Sequence, residues 1–278
     1  MDIRNIKEEV PPTREGAELQ NMYSLGIQQF EGYRQIEKLP EAPLDVNNPY
    51  NQVILKDFIG RVIEELMEGY ESTSEVVKIC HKWGWNIEQL TEEEYTQVLN
   101  HLQNANEEQV DALGFYFTLF LYANIAPEDI LSWGTNHVMD YSDFKVNNLK
   151  DVMTLGIAMV TEGSIGLVNR FSMIDEDHES VKDYTPGFNT LSEASHEEEK
   201  ILLFNVVYEL NIARNLLKCR PWKQTQVMTK ELDFQYSLVK AFYLYMGFLG
   251  IQGFSEYSIY ELFFKKQRLN LWRMASNY

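Results

Sequence analysis

The chain has 278 residues, of which 45% are hydrophobic, and it carries a formal net charge of −18. A chain of this length and composition can bury one large core or two smaller ones, so we expect a soluble globular protein. The excess of Asp and Glu argues against a general binding surface for nucleic acid or anionic membranes, because both attract Lys and Arg. A small phosphorylated ligand that brings its own metal is compatible with this charge.

Cysteine usage and hydropathy restrict the compartment. Cys80 and Cys219 lie far apart and form no CxxC or Cys/His spacing, which predicts neither a disulfide framework nor a zinc site. Residues 1–20 are polar, and the longest apolar runs, around 114–126 and 242–251, are too short to span a bilayer. We therefore expect a cytoplasmic protein without a membrane segment.

Helix start signals recur along the chain. The segment "TEEEYTQVLNHL" opens with Thr91 and Glu94 in the spacing of a capping box, and Pro127 suits a first helical turn. Ser195 and Glu198 repeat the capping-box spacing ahead of another apolar segment. Period-two alternation is almost absent, so the predicted fold class is all-α.

Three further stretches complete this outline. The aromatic-rich stretch 234–251 contains no turn residues, which favours a buried helix over a strand. Proline and turn formers at 38–51, and an acidic, polar stretch at 175–194, interrupt the helical pattern. We interpret the second interruption as the seam between two halves.

The two halves resemble each other. "RVIEELMEGYES" from position 61 aligns without a gap to "NVVYELNIARNL" from position 205, so that Glu65 corresponds to Glu209. An aromatic-rich helix follows the charged helix in each half. Chance likeness between amphipathic helices is the alternative. A duplication predicts a pseudo-symmetric helical bundle, with halves at 1–174 and 175–278 joined in one integrated domain.

An unusual concentration of acidic residues marks the first half. In "VIEELMEGYE" at 62–71, Glu65 and Glu68 are three positions apart and share one helix face. Glu108 and Asp111 have the same spacing at the start of a strongly apolar helix. Two antiparallel helices would bring the four carboxylates together, where they would repel one another unless a cation lay among them.

Four carboxylates of this kind suit Mg²⁺ or Mn²⁺, and the core of a helical bundle is a known location for such sites. A metal held there can bind a polyphosphate and activate water. The alternative is that these are solvated helix faces, since a chain with 42 acidic residues contains an ExxE by chance.

Basic residues concentrate at the C-terminus. Lys265, Lys266, Arg268 and Arg273 stand out in an otherwise acidic protein, and ammonium and guanidinium groups are natural partners of phosphate oxygens. The alternative is a solvated helix whose cations are favoured by the helix dipole.

These motifs together resemble those of a known family. "EELMEGYE" followed by "EEQVDALGFYF" resembles the EExxE and ExxD signature of the all-α nucleotide pyrophosphohydrolases, which include MazG and the dimeric dUTPases, among them phage dCTPase-dUTPases. "FFKKQRLNLWRMASNY" is similar to the family's closing motif, and "NLLKCRPWKQT" resembles its Trp-Lys segment. The resemblance covers most of residues 58–278.

The resemblance implies Mg²⁺-dependent hydrolysis of a deoxypyrimidine nucleoside triphosphate, such as dUTP or dCTP, to the monophosphate and pyrophosphate. It implies a helical bundle of the MazG and dimeric dUTPase type, as a monomeric pseudo-dimer or a homodimer, in host cytoplasm if the protein is phage-encoded. The implied metal ligands, which include the catalytic acids, are Glu65, Glu68, Glu108 and Asp111, with Glu64 as an additional or outer ligand. The implied substrate-binding residues are Lys218, Arg220, Trp222, Lys223, Lys266, Asn270, Arg273 and Tyr278.

The sequence also departs from the family pattern. Gln267 and Asn277 stand where the closing motif has Asn and Gly, and Gly114 stands where a His often follows the ExxD motif.

The acids of the second half are eroded. Glu209 is retained, but Ile212 corresponds to Glu68, and Ser237 or Lys240 occupies the position where an aspartate would be needed. We therefore expect one complete site shared between the halves. The alternative function is a catalytically silent helical protein that binds a nucleotide or a protein partner.

Overall fold

The computed structural model describes residues 6–14, 16–137, 145–159 and 193–276. These residues form α-helices and contain no strand, which confirms the all-α prediction. A short 3₁₀ turn at Ile87–Gln89 lies between the second and third helices. The helices are α1 (Glu18–Glu37), α2 (Pro49–Lys82), α3 (Glu92–Tyr122), α4 (Pro127–His137), α5 (Leu149–Ala158), α6 (Glu193–Leu216), α7 (Glu231–Ile251) and α8 (Glu256–Ala275).

Most predicted helix ends agree with the structure. The hydroxyl of Thr91 accepts a hydrogen bond from the backbone N–H of Glu94 at 3.2 Å, and the Glu94 carboxylate accepts one from the backbone N–H of Thr91 at 3.1 Å. This reciprocal pair is the predicted capping box, and α4 begins at Pro127 as expected. The prediction that Ser195 caps a helix is wrong, because α6 begins at Glu193. The two residues before Ser195 are acceptable helix formers and extend the helix.

The predicted interruption at 38–51 is confirmed in its main part, since α1 ends at Glu37 and α2 begins at Pro49. The aromatic stretch 234–251 lies within α7, as predicted. The proposed seam lies outside the described residues as far as position 192.

Helices α2 and α3 form a long antiparallel pair. The rings of Phe58 and Phe115 meet at one end with their centroids 6.0 Å apart, and Asn104 donates a hydrogen bond to the Ser72 hydroxyl at 2.8 Å toward the other end. Gly69 lies where the helices approach each other, because a Cβ there would be 3.3 Å from the backbone oxygen of Ala105. The missing side chain at Gly69 therefore allows α2 and α3 to pack closely beside the acidic residues.

A second close contact joins α5 to α7. A Cβ on Gly156 would lie 1.9 Å from the backbone oxygen of Tyr243, so no side chain fits at this position.

Helices α1–α5 of the N-terminal part of the chain and helices α6–α8 of the C-terminal part share one main hydrophobic core. The Tyr116 ring of α3 stacks on the Tyr245 ring of α7, with centroids 5.1 Å apart and planes inclined by 15°. Helix α8 packs on α1 and α3, and the Gln267 amide donates a hydrogen bond to the backbone oxygen of Leu25 at 2.9 Å. The C-terminal helix is thereby fixed against the helices of the N-terminal segment.

No described helix is by itself long and apolar enough to cross a membrane. Helices α3 and α4 meet the length and composition criteria only as a pair, and the break between them is bent by 90°.

Candidate metal centre

Three carboxylates from α2 and α3 form a compact cluster. One side-chain oxygen each from Glu65, Glu68 and Glu108 lies within 4.8 Å of the other two. The spacing of three residues places Glu65 and Glu68 on adjacent turns of α2, and the close approach at Gly69 brings Glu108 of α3 alongside them. We call these three residues the acidic triad. Carboxylate oxygens at this separation are a suitable donor set for a divalent cation.

The electrostatics of the acidic triad are unfavourable without a cation. Burial, together with the charges of Asp111, Glu108 and Glu68, raises the pKa of Glu65 to about 8. A side-chain interaction with Glu108 also raises the pKa of Glu65. Burial likewise raises the pKa of Glu108, although Lys266 partly offsets this effect. A bound cation would relieve the repulsion, so the residues fit a metal ion.

Asp111, the fourth predicted acid, lies outside the triad and is held by helix α8. The Lys266 ammonium lies 3.0 Å from one Asp111 oxygen and 3.2 Å from an oxygen of Glu107. The Asn270 amide donates a hydrogen bond to the other Asp111 oxygen at 3.5 Å, and Arg273 donates one to the Asn270 side-chain oxygen at 3.5 Å. The structure therefore places Lys266 and Asn270 of the C-terminal motif next to Asp111, whereas Lys265 pairs with Glu261 and Arg268 pairs with Glu8.

Burial and ion pairing shift the pKa of Asp111 in opposite directions, and the same is true of the pKa of Lys266. Burial raises the pKa of Asp111, whereas the charge of Lys266 and the hydrogen bonds from Lys266 and Asn270 lower it in part. Burial by itself lowers the pKa of Lys266, but the carboxylates of Asp111 and Glu107 raise it overall. Lys266 is 6% exposed, so its charge is retained in the interior only because two carboxylates surround it.

Glu107 is a residue that the motifs did not indicate. It precedes Glu108 in the sequence, and adjacent helix residues point about 100° apart, so a motif-based prediction assigns it to a different face. Its contact with Lys266 depends on where α8 crosses α3. The one available signal was the repeated acid in "NEEQVD".

The remaining predicted residues lie elsewhere. Glu64 is exposed and lines a cleft between α2 and α6, together with Arg220 and Trp222. Lys218 and Lys223 are exposed on the segment around the end of α6. The structure therefore does not bring Glu64 or the Trp-Lys segment into the acidic triad, and Tyr278 lies outside the described residues.

The corresponding position in the second half contains an ion pair. The ammonium of Lys240 on α7 lies 2.5 Å from a carboxylate oxygen of Glu209 on α6. Glu209 is the residue that aligns with Glu65, and Lys240 is one of the two residues that the sequence placed at a required acid position. A lysine here supplies the positive charge that the acidic triad lacks.

Comparisons of the chain with protein-family models, with curated proteins and with solved structures found no match. The resemblance to the all-α nucleotide pyrophosphohydrolases thus depends on the sequence motifs alone.

Proposed function

We propose that this protein is a Mg²⁺-dependent pyrophosphohydrolase that converts a deoxypyrimidine nucleoside triphosphate, such as dUTP or dCTP, to the monophosphate and pyrophosphate. We further propose that its bundle is of the MazG and dimeric dUTPase type. The observation that carries the proposal is the acidic triad lying beside Asp111, whose oxygens are held by Lys266 and Asn270. Groups that can hold a cation and groups that can hold a phosphate are thereby adjacent.

The three carboxylates of the triad, with Asp111, would hold the metal, for which Mn²⁺ is an alternative to Mg²⁺. When bound, such an ion neutralises phosphate oxygens and acidifies a water molecule. One carboxylate of the cluster orients the attacking water and accepts its proton. The close grouping of the carboxylate oxygens of Glu65, Glu68 and Glu108 supports this role, because it places a proton-accepting oxygen within the cluster.

The basic residues of α8 would bind the phosphates. Lys266 faces the acids directly, and Arg273 is partly exposed behind Asn270. In the free protein Lys266 is paired with Asp111 and Glu107, which keeps its ammonium charged in the interior. Once substrate is bound, Lys266 and Arg273 would stabilise the negative charge that develops in the transition state.

The decisive experiment is a measurement of pyrophosphate release from a panel of deoxynucleoside triphosphates with Mg²⁺. We expect turnover of a deoxypyrimidine triphosphate and a loss on the order of 100-fold in Glu68→Gln, which removes one charge from the triad without changing its size. Glu71→Gln is the matched control, because Glu71 is an exposed acid on the same helix that is not part of the triad.

Two outcomes would contradict the proposal: turnover of no nucleotide, or equal turnover by Glu68→Gln and the wild type. If nucleotide with Mg²⁺ still raised the melting temperature although nothing was hydrolysed, the alternative of a catalytically silent nucleotide-binding protein would replace the enzyme.

A further inference from the structure

The cleft between α2 and α6 that Glu64 lines lies on a face of α2 that borders the face carrying the acidic triad. Its volume is about 950 Å³, which is at the upper end of the usual range for small-molecule sites. Lys56 and Glu64 line it from α2, Arg214 lines it from α6, and Arg220 and Trp222 line it from the segment that follows α6.

The cleft concentrates positive charge in a strongly acidic protein. Lys56, Arg214 and Arg220 all line it, and none of the three forms an ion pair with a carboxylate in the part of the chain that the structure describes. A fourth cation, Arg61, differs because Glu37 binds it at 2.8 Å and its neighbour Asp57 binds it at 3.0 Å. The first three cations are therefore the ones whose charge no carboxylate neutralises, although Nη1 of Arg220 donates hydrogen bonds to the backbone oxygens of Leu217 and Cys219 at 3.0 and 2.9 Å.

These like charges affect one another. Burial, together with the nearby charges of Arg220 and Arg214, lowers the pKa of Lys56 to about 8. The repulsion is a cost that a negatively charged ligand would remove. Glu64 and Asp57 are the acids that line the cleft, and Asp57 is already paired with Arg61.

The rest of the lining suits an aromatic ring. The side chain of Trp222 is 75% exposed, although tryptophan is normally well buried. Met67 offers further exposed apolar surface, and the amide of Asn215 can form hydrogen bonds. A nucleobase stacks on an exposed aromatic side chain with a favourable energy of about 1–3 kcal/mol.

We propose that this cleft is a second ligand site, which binds a nucleoside phosphate with its phosphate on Lys56, Arg214 and Arg220 and its base on Trp222. The site needs no metal ion, because its own side chains supply the positive charge. Its existence does not depend on the hydrolysis proposed for the acidic triad.

Calorimetric titration with dUMP in EDTA and low salt tests this site. We expect binding by the wild type, with affinity about 10-fold weaker in Lys56→Gln and in Arg214→Gln, since each substitution removes one charged contact to phosphate. Lys78→Gln is the matched control, because Lys78 is an exposed lysine on the same helix, about 33 Å from Lys56 at the usual helical rise. It should bind dUMP as the wild type does.

Two further variants separate the parts of the site. Trp222→Ala should weaken binding of dUMP but leave binding of inorganic phosphate unchanged, since only the nucleotide has a base to stack. Glu68→Gln should leave metal-free binding of dUMP unchanged, because Glu68 does not line the cleft.

The proposal is overturned if the wild type binds no dUMP at millimolar concentration, or if the charge variants bind it as tightly as Lys78→Gln. It is also overturned if Glu68→Gln abolishes metal-free binding, because the ligand would then occupy the acidic triad. If the protein hydrolyses a nucleotide but binds no dUMP without metal, only the proposal of this second site is disproved. If it binds dUMP without metal but hydrolyses no nucleotide, only the proposed enzymatic activity is disproved.

Discussion

The acidic triad on α2 and α3 and the ion pair on α6 and α7 solve the same electrostatic problem in different ways. Both contain a glutamate at the aligned position, Glu65 in the first half and Glu209 in the second. Around Glu65 the neighbours are other carboxylates, and its pKa is raised to about 8. Beside Glu209 a lysine, Lys240, supplies a permanent counter-charge. Glu209 thus has its counter-charge from a directly paired lysine, whereas in the acidic triad Lys266 offsets the pKa shift of Glu108 only in part.

The largest effect is expected from breaking the ion pair. Lys240→Ala leaves the 9% exposed Glu209 without its partner, and we expect a loss of about 3 kcal/mol in the free energy of unfolding, because a buried charge that loses its partner is strongly destabilising. Urea denaturation measures this loss. Lys200→Ala is the control, since the exposed Lys200–Glu197 pair should contribute little to stability. Equal losses in the two variants would show that the Lys240 pair has no internal role.

Removing a charge from the acidic triad should raise the free energy of unfolding, whereas breaking the ion pair lowers it. A carboxyl group with a higher pKa in the folded protein than in the unfolded chain holds its proton more tightly when folded, so ionising it lowers stability as the pH rises. For Glu65 this window extends from about 4.5 to about 8. We therefore expect the metal-free protein to lose stability across this range, and Glu65→Gln to be more stable than the wild type at pH 8 by ~2 kcal/mol, a value reduced for partial solvation.

Denaturation in EDTA at pH 5 and pH 8 tests this prediction. Glu71→Gln, on an exposed part of the same helix, should follow the wild type at both pH values. Greater wild-type stability at pH 8 than at pH 5 would contradict the prediction, because the repulsion among the carboxylates would then be absent.

The smallest expected effect is stabilisation by Mg²⁺, which should depend on the acidic triad and not on the ion pair of the second half. At a Mg²⁺ concentration ten times its dissociation constant, binding to the folded state should stabilise the wild type by about 1.4 kcal/mol. The stabilisation should be larger at pH 8 than at pH 5, because metal ligands must be deprotonated. It should disappear in Glu68→Gln and persist in Lys240→Ala, as measured by thermal denaturation. Loss of the Mg²⁺ effect in Lys240→Ala would instead place the ion near the second half.

The fold class and the acidic triad could be predicted because their signals are local. Capping residues, helical periodicity and the spacing of three between Glu65 and Glu68 act within one helix. The pairing of α2 with α3 then follows from their apolar faces. The resemblance of the C-terminal motif assigned Lys266 and Asn270 to substrate binding but not to a contact with Asp111, which the structure shows.

Other features depend on how distant segments cross, which no local pattern records. The contact of Glu107 with Lys266 depends on the position of α8, and the meeting of Lys56 with Arg214 depends on the packing of α2 on α6. For the same reason, the sequence could suggest a substrate-binding role for Trp222 but could not show where its side chain lies. The segment that contains Trp222 follows α6 and, together with Glu64, lines the cleft between α2 and α6.

The bare backbone at Gly69 allows α2 and α3 to approach each other closely beside the acidic triad. Mg²⁺ requires oxygens at about 2.0–2.1 Å, whereas Ca²⁺ accepts about 2.3–2.6 Å and more ligands. A Cβ at this position would lie 3.3 Å from the Ala105 oxygen, closer than an ordinary van der Waals contact, and 3.7 Å from the Glu108 Cβ, which is an ordinary contact. Under the proposed function, a larger residue here would require α3 to shift by a few tenths of an ångström beside Glu108, and we expect the site then to prefer larger ions.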